Sequence, residues 1–271
     1  MLASALLLIG FGLFHIIKDC MAYLQANREY QSIASQYTTE NSDEDDSQNS
    51  SDADDDLDQQ SDDIKIDWDA LQKINPDICC WLLYQDSGID IDISMPIVQE
   101  TQDAPDRYLN TTFEGKSNPS GCVFVDAGAD FRKDSNVFLY GHNMRNGTMF
   151  GDLKRLYQEP DQVMNPAFCL YFPDGSVSRY QILSVCLTTS GSDLYYVPGG
   201  KKEFSAYLSR LRQNTVFPDL TRFDALTKES GEGDQEQGKE QKLVTLSTCD
   251  GSAGTKRRLL VTGIWKETEK E

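Results

Sequence analysis

The chain has 271 residues, 44 acidic against 25 basic side chains, a net charge of −19, seven cysteines and two histidines. Two histidines rule out a histidine-rich metal site, and an odd cysteine count leaves one thiol outside any disulfide framework. So acidic a balance argues against nucleic-acid binding, whose affinity comes from counterion release by Lys and Arg. Between Arg28 and Lys65 there is no basic residue and, apart from Glu29, there are twelve acidic ones. Without those twelve the net charge is −7, ordinary for a soluble domain.

In chain order, residues 2 to 17 (LASALLLIGFGLFHII) carry no charge. A helix of that length covers about 24 Å against a bilayer core of roughly 30 Å. Extension past Lys18 and Asp19 to Leu24, with the lysine snorkelling, predicts a short, tilted membrane anchor over residues 1–24. A buried or cleaved hydrophobic segment is the competing reading. No Lys or Arg precedes the run, so loop charge gives no orientation. Residues 25–63 follow as a spacer, polar and acidic from 38 onward, with too little apolar surface to offset ordering. A calcium loop is the alternative for this stretch, but the D-x-D-x-D-G spacing with a Glu at position twelve is absent.

From Ile64 the composition turns globular. In DWDALQKINPDICCWLLY, Trp68, Leu71, Ile74 and Ile78 approximate a helical face broken by Pro76. Runs at 95 to 99, 121 to 126, 136 to 142, 168 to 173, 178 to 189, 242 to 249 and 258 to 265 are rich in Val, Ile, Phe, Tyr and Thr, with turn residues between them. Seven or eight strands in about 200 residues predict a mainly β barrel or sandwich. Two helices are expected within it: one capped by Thr148 over GTMFGDLKRLYQ, and one over KKEFSAYLSRLRQ with Phe204, Tyr207, Leu208 and Leu211 on a single stripe. The polar insert near 229 to 241 reads as an exposed loop.

With His15 inside the apolar N-terminal run, imidazole chemistry in the remainder rests on His142, which opens the Gly/Asn loop GHNMRNGTMF after a strand. Alone, it reads more readily as an exposed loop histidine. Cys249 ends the run KLVTLSTC, where alternation puts Ser247 on the same face. A Gly-rich connection and a second run, RLLVTGIW, return antiparallel, bringing Arg258 and Arg257 near that thiol. A guanidinium beside a thiol favours thiolate and can donate to an oxyanion. The other strand cysteines (Cys79, Cys80, Cys122, Cys169, Cys186) form no C-x-x-C pair and read as buried free thiols.

On YGHNMRNGTMFGDL (140 to 153), TLSTC (245 to 249) with TKRRLLV (255 to 261), DWDALQKINPDICCWL and RYLNTTFEGKSNPSGCVFVD (107 to 126), the chain resembles a class B sortase, a membrane-anchored cysteine transpeptidase of Gram-positive bacteria. The likeness covers roughly residues 64 to 266. It implies a closed barrel of about eight strands with N-terminal helices and a helix between the sixth and seventh strands, residues 64–271 being the catalytic domain. It implies Cys249 as nucleophile, His142 as general acid/base and Arg258, in preference to Arg257, as holder of substrate and oxyanion. It further implies Ser247, Asn110, Thr189, Tyr195 and Tyr196 along a peptide groove, core or surface tyrosines being the alternative for the last two. Expected partners are surface proteins bearing a sorting signal like Asn-Pro-Gln-Thr-Asn, and a peptidoglycan stem peptide or pilin lysine as amine acceptor. No cofactor or metal is implied, and the location implied is a single-pass cell-membrane protein with an extracellular catalytic domain. A cysteine peptidase using water, or a non-catalytic surface-binding β module, are the competing functions.

Overall fold

The computed structural model describes residues 2–40, 64–229, 241–251 and 254–266. Helix α1 (Leu2–Tyr37) leads into a short strand β1 (Thr38–Glu40), which pairs antiparallel with β2 (Ile64–Ile66). Helix α2 (Trp68–Ile74) is capped by Asp67, whose carboxylate accepts from Ala70 N at 3.0 Å. The turn at Asn75 and Pro76 ends it, because a residue before proline is pushed out of the helical region. Ile78, expected on the helical face, therefore starts strand β3 (Ile78–Asp86).

Eight strands then close a barrel in the order β10-β8-β7-β3-β4-β5-β6-β9. Beyond β3 these are β4 (Ile91–Gln99), β5 (Val123–Val125), β6 (Asn136–Tyr140), β7 (Ala167–Tyr171), β8 (Val177–Thr189), β9 (Leu243–Cys249) and β10 (Arg257–Lys266). The mainly β class and the closed barrel match the sequence reading. β3 was hidden in it because ICCWLLYQD is buried along almost its whole length and lacks the alternation that marks a half-exposed strand.

Alternation sorts the three strands that matter most. Val137 and Leu139, Val244 and Leu246, and Leu259 and Val261 fill the barrel interior. Each such side chain contributes about 1.5–3 kcal/mol when fully buried. On the outer face, Leu243, Leu260 and Ile264 pack with Leu194, Tyr207, Leu211 and Phe223. The last three come from α4 (Lys201–Asn214) and α5 (Thr221–Glu229), so the helix expected between the sixth and seventh barrel strands is α4, and α5 follows it. The helix expected from Thr148 onward is shorter: a 3-10 turn at Gly151–Lys154 runs into α3 (Arg155–Gln158), and the Thr148 hydroxyl bonds to Asn146 rather than capping.

The N-terminal expectation is corrected. α1 runs unbroken through Lys18 and Asp19 to Tyr37, and Ala26, Tyr30 and Ile33 are buried against the barrel. Among the described residues no helix is long and apolar enough to cross a membrane. The charge pair ends the apolar run too early to fill a bilayer. The single-pass extracellular location expected from a membrane anchor over 1–24 is therefore withdrawn. The boundary expected at residue 25 falls inside α1, and residues 25–40 are helix and strand. The rest of the expected spacer, 41–63, and 230–240 of the polar insert lie outside the described residues.

Candidate active site

Cys249 is the last residue of β9 and half-buried, and the register places it directly opposite Arg258, the second residue of β10. Directly opposed residues share a face, with Cβ atoms about 4.5–5.5 Å apart. That face is the outer one, since Leu260 and Ile264, two-residue steps on from Arg258, pack outside the barrel. Arg257 takes the other direction. It is exposed and ion-paired with the buried Asp250 carboxylate, which also accepts from Tyr157 Oη at 3.1 Å. Arg258 donates through Nη1 to the carbonyls of Thr255 (2.8 Å) and Arg257 (2.9 Å), and among the described residues no carboxylate pairs with it. Its charge is thus held at the thiol's face and left uncompensated.

His142 reaches the same rim by topology. β6 and β9 run parallel, with Tyr140 registered on Ser247 and Gly141 N donating to Ser247 O at 3.1 Å. An equal step along both chains from that pair ends on His142 and on Cys249. Gly141 must lack a side chain here, because a Cβ would lie 2.7 Å from the Phe150 ring. Phe150 N donates to His142 O at 3.0 Å, closing the loop back on itself. His142 Nε2 lies 2.8 Å from Leu109 O. A carbonyl only accepts, so Nε2 carries the proton and in the neutral ring the lone pair sits on Nδ1. Asn143 donates its side-chain amide to the Cys249 carbonyl at 2.7 Å.

The structure brings two of the expected groove residues together. Ser247 Oγ and Tyr195 Oη are 2.8 Å apart. The Tyr195 ring stands 5.3 Å from that of Phe138, which stacks at 6.4 Å on Tyr140. Burial pushes the Tyr195 phenol up, with Arg258 opposing and Cys249 adding to the shift, so Tyr195 lies within the fields of both. Tyr196 turns elsewhere: it is exposed, donates to Glu203 on α4 at 2.8 Å and lies under Arg210. Thr189 is exposed at the end of β8, opposite Arg257 rather than Arg258. Asn110 is exposed beside Leu109, its carbonyl accepting from Asn118 N.

Three of the remaining thiols are made poor nucleophiles by burial. Burial pushes Cys122 up to about 12, Cys186 up to about 11 and Cys80 well above its ordinary range. Among the described residues no group of three or more His, Cys, Asp and Glu side chains could hold a metal ion. Three contributors escaped the sequence reading. Leu109 acts through its main chain and leaves no side-chain signal. Asn143 stood beside His142 in the quoted G-H-N without a role, and Asp250 follows the cysteine directly.

A sortase domain model matches residues 89–264, so the chain belongs to the sortase family. It is similar to sortase B of Listeria monocytogenes, 29% identical over 184 residues, a match spanning 66% of this chain and 65% of that protein. Among solved structures, sortase B of Clostridium perfringens superposes with a TM-score of 0.57 at 28% identity, covering 73% of this chain and 99% of that one. Sortase B of Bacillus anthracis gives a TM-score of 0.64 over 92% of this chain and 100% of that one; at 22% identity it speaks for the fold.

Proposed function

We propose that this chain is a cysteine transpeptidase of the class B sortase type, with residues 64–271 as its catalytic domain. The observation that carries this reading is the pairing of Cys249 with Arg258 across β9 and β10, on the rim that His142 reaches from the parallel strand β6. The Cys249 thiolate attacks the carbonyl of a Thr in a sorting peptide, and the carbonyl π pair moves onto oxygen. Arg258 holds that oxyanion in a partly desolvated cleft, where a fixed charge acts more strongly than in water. As the intermediate collapses, the C–N bond breaks and His142, as imidazolium, gives the Nδ1 proton to the leaving amine. A thioester on Cys249 remains, conserving the acyl transfer potential without a nucleotide. An incoming amine, deprotonated by the same nitrogen, attacks it and forms the new amide.

Family resemblance supports a signal like Asn-Pro-Gln-Thr-Asn on the donor and a peptidoglycan stem peptide or pilin lysine as acceptor. Ser247, Tyr195, Thr189 and Asn110 are read as peptide contacts, Ser247 and Tyr195 with the support of their hydrogen bond; Tyr196 has the weaker claim, being bound to Glu203. The test is mass spectrometry of the chain incubated with such peptides. Cys249 is expected to gain the mass of the N-terminal fragment and Cys249→Ala to gain nothing. No adduct across a broad peptide set would leave a non-catalytic β module as the reading. An adduct resolved by water at the same rate with and without amines would make the chain a peptidase.

A further inference from the structure

α1 reaches the active site without touching it. The Tyr30 side chain is buried, its hydroxyl donating to Gly121 O at 2.7 Å and accepting from Phe113 N at 3.3 Å. Nearby on the same helix, Glu29 accepts from Glu114 N at 3.2 Å and pairs with Lys116 Nζ at 3.4 Å. Asn118 Nδ2 donates to Ala22 O at 2.8 Å. All three ties land on residues 113 to 121, none on a strand.

That segment lies directly against the holder of His142. Gly121 has a φ of +58°, and a Cβ on it would sit 2.3 Å from Tyr108 O and 2.7 Å from Leu109 O. Cys122 N donates to Tyr108 O at 2.8 Å, and Asn118 N donates to Asn110 O at 3.0 Å, so the two segments are stitched on both sides of Leu109. Leu109 O in turn accepts from His142 Nε2.

We infer that Tyr30 is a positioning residue for His142: its hydroxyl fixes Gly121, Gly121 fixes the Tyr108–Leu109 carbonyls, and the Leu109 carbonyl selects the imidazole tautomer that leaves Nδ1 for proton transfer. The assignment of a catalytic task to that imidazole rests on the function proposed above, but the positioning itself is read without activity.

The full chain labelled with ¹⁵N-histidine contains two imidazoles, and a His15→Gln variant assigns the second signal to His142. In the wild type His142 is expected as the Nε2–H form with a slowly exchanging proton. In Tyr30→Phe, which keeps the ring and loses the hydroxyl, exchange of that proton is expected to quicken roughly fivefold, the order of one lost hydrogen bond, and the ring shifts to move toward a tautomer mixture. Tyr84→Phe removes another buried hydroxyl, one that has no hydrogen-bond partner among the described residues, and should leave His142 unchanged. If Tyr30→Phe does not fold, Asn118→Ala cuts a second tie of α1 and should act in the same direction. Unchanged His142 shifts and exchange in the folded variant, or a wild-type ring protonated at Nδ1 alone, would overturn the inference. Absence of a peptide adduct on Cys249 would count against the proposed function and not against this reading.

Discussion

The side-chain amide of Asn143 donates to the main-chain carbonyl of Cys249 at 2.7 Å, tying the residue after the histidine to the thiol's own residue. Asn143 also forms an isolated bridge with Met149, which holds a positive φ of 55°. The amide therefore fastens a strained loop to the end of β9. Asn143→Ala is expected to lower kcat of peptide cleavage roughly tenfold with little change in KM, because misplacing a reacting group costs rate more than binding. Asn143→Asp should lose more, since its carboxylate not only cannot donate but also sets a negative acceptor against the Cys249 carbonyl oxygen. A KM effect with kcat intact would mean that Asn143 binds substrate instead.

The two adjacent arginines have separable tasks. Arg258→Ala is expected to reduce kcat/KM by about 10² to 10³, the range for removal of one oxyanion donor. Arg258→Lys should recover part of it, keeping the charge and losing the planar fork. Arg257→Ala should stay within about threefold of wild type, since Arg257 is itself exposed and turned away from the thiol, and Tyr157 still donates to the Asp250 carboxylate that it leaves. Equal losses at both positions would refute the division.

Ser247 and Tyr195 share a hydrogen bond on the outer face of β9, two residues from Cys249. Ser247→Ala and Tyr195→Phe should each raise KM for the sorting peptide, and the double variant should fall short of additivity by about 1 kcal/mol. Strict additivity in this cycle would show that the two side chains meet the peptide independently.

Glu100 is buried at the end of β4 with one carboxylate oxygen unpartnered, and burial raises its pKa above the ordinary 4.5, the Asp106 and Asp126 charges adding to the effect. The fold thus favours the protonated acid. Its contribution is fully present below about pH 4.5 and is lost as pH rises through the folded value. Glu100→Gln should accordingly raise the thermal midpoint at pH 8 by on the order of 2–4 °C, equivalent to about 1 kcal/mol in a domain of this size. The gain should vanish near about pH 4, where wild type and variant are both neutral. A gain that persists at low pH would assign it to packing.

Short-range pattern carried the barrel's site-bearing half. β6, β9 and β10 read as strands from their β-rich composition between turn residues, and the two-residue side-chain alternation of a strand sorts their residues between the barrel interior and an outer face that packs in part against α4 and α5. That alternation placed Ser247 beside Cys249, and the antiparallel return placed Arg258 opposite the thiol. What pattern could not supply was pairing between strands far apart in the chain. The parallel β6 and β9 contact brings His142 to Cys249 across more than a hundred intervening residues, and only family likeness suggested it. Main-chain partners were illegible for a different reason: Leu109 contributes a carbonyl that every residue possesses. The N-terminal run misled because hydropathy over residues 2 to 17 cannot reveal that the same helix continues into a face carrying Ala26, Tyr30 and Ile33, which the barrel buries.

The register of Tyr140 on Ser247 makes strand length decide where Cys249 falls relative to His142. Deleting one residue from β9 ahead of Ser247 would move the later positions of β9 by roughly 3.3 Å and turn them to the opposite face, the connection to β10 taking up the difference. The thiol would then point into the apolar barrel, while Arg258 and His142 stayed where they are. Sequence drift along β6 and β9 is thus free in side-chain identity on the inner face, within apolar limits, but confined in number: a residue added or removed there has to be absorbed by a bulge, as in the β10–β8 and β3–β4 pairs, for Cys249 to keep its face.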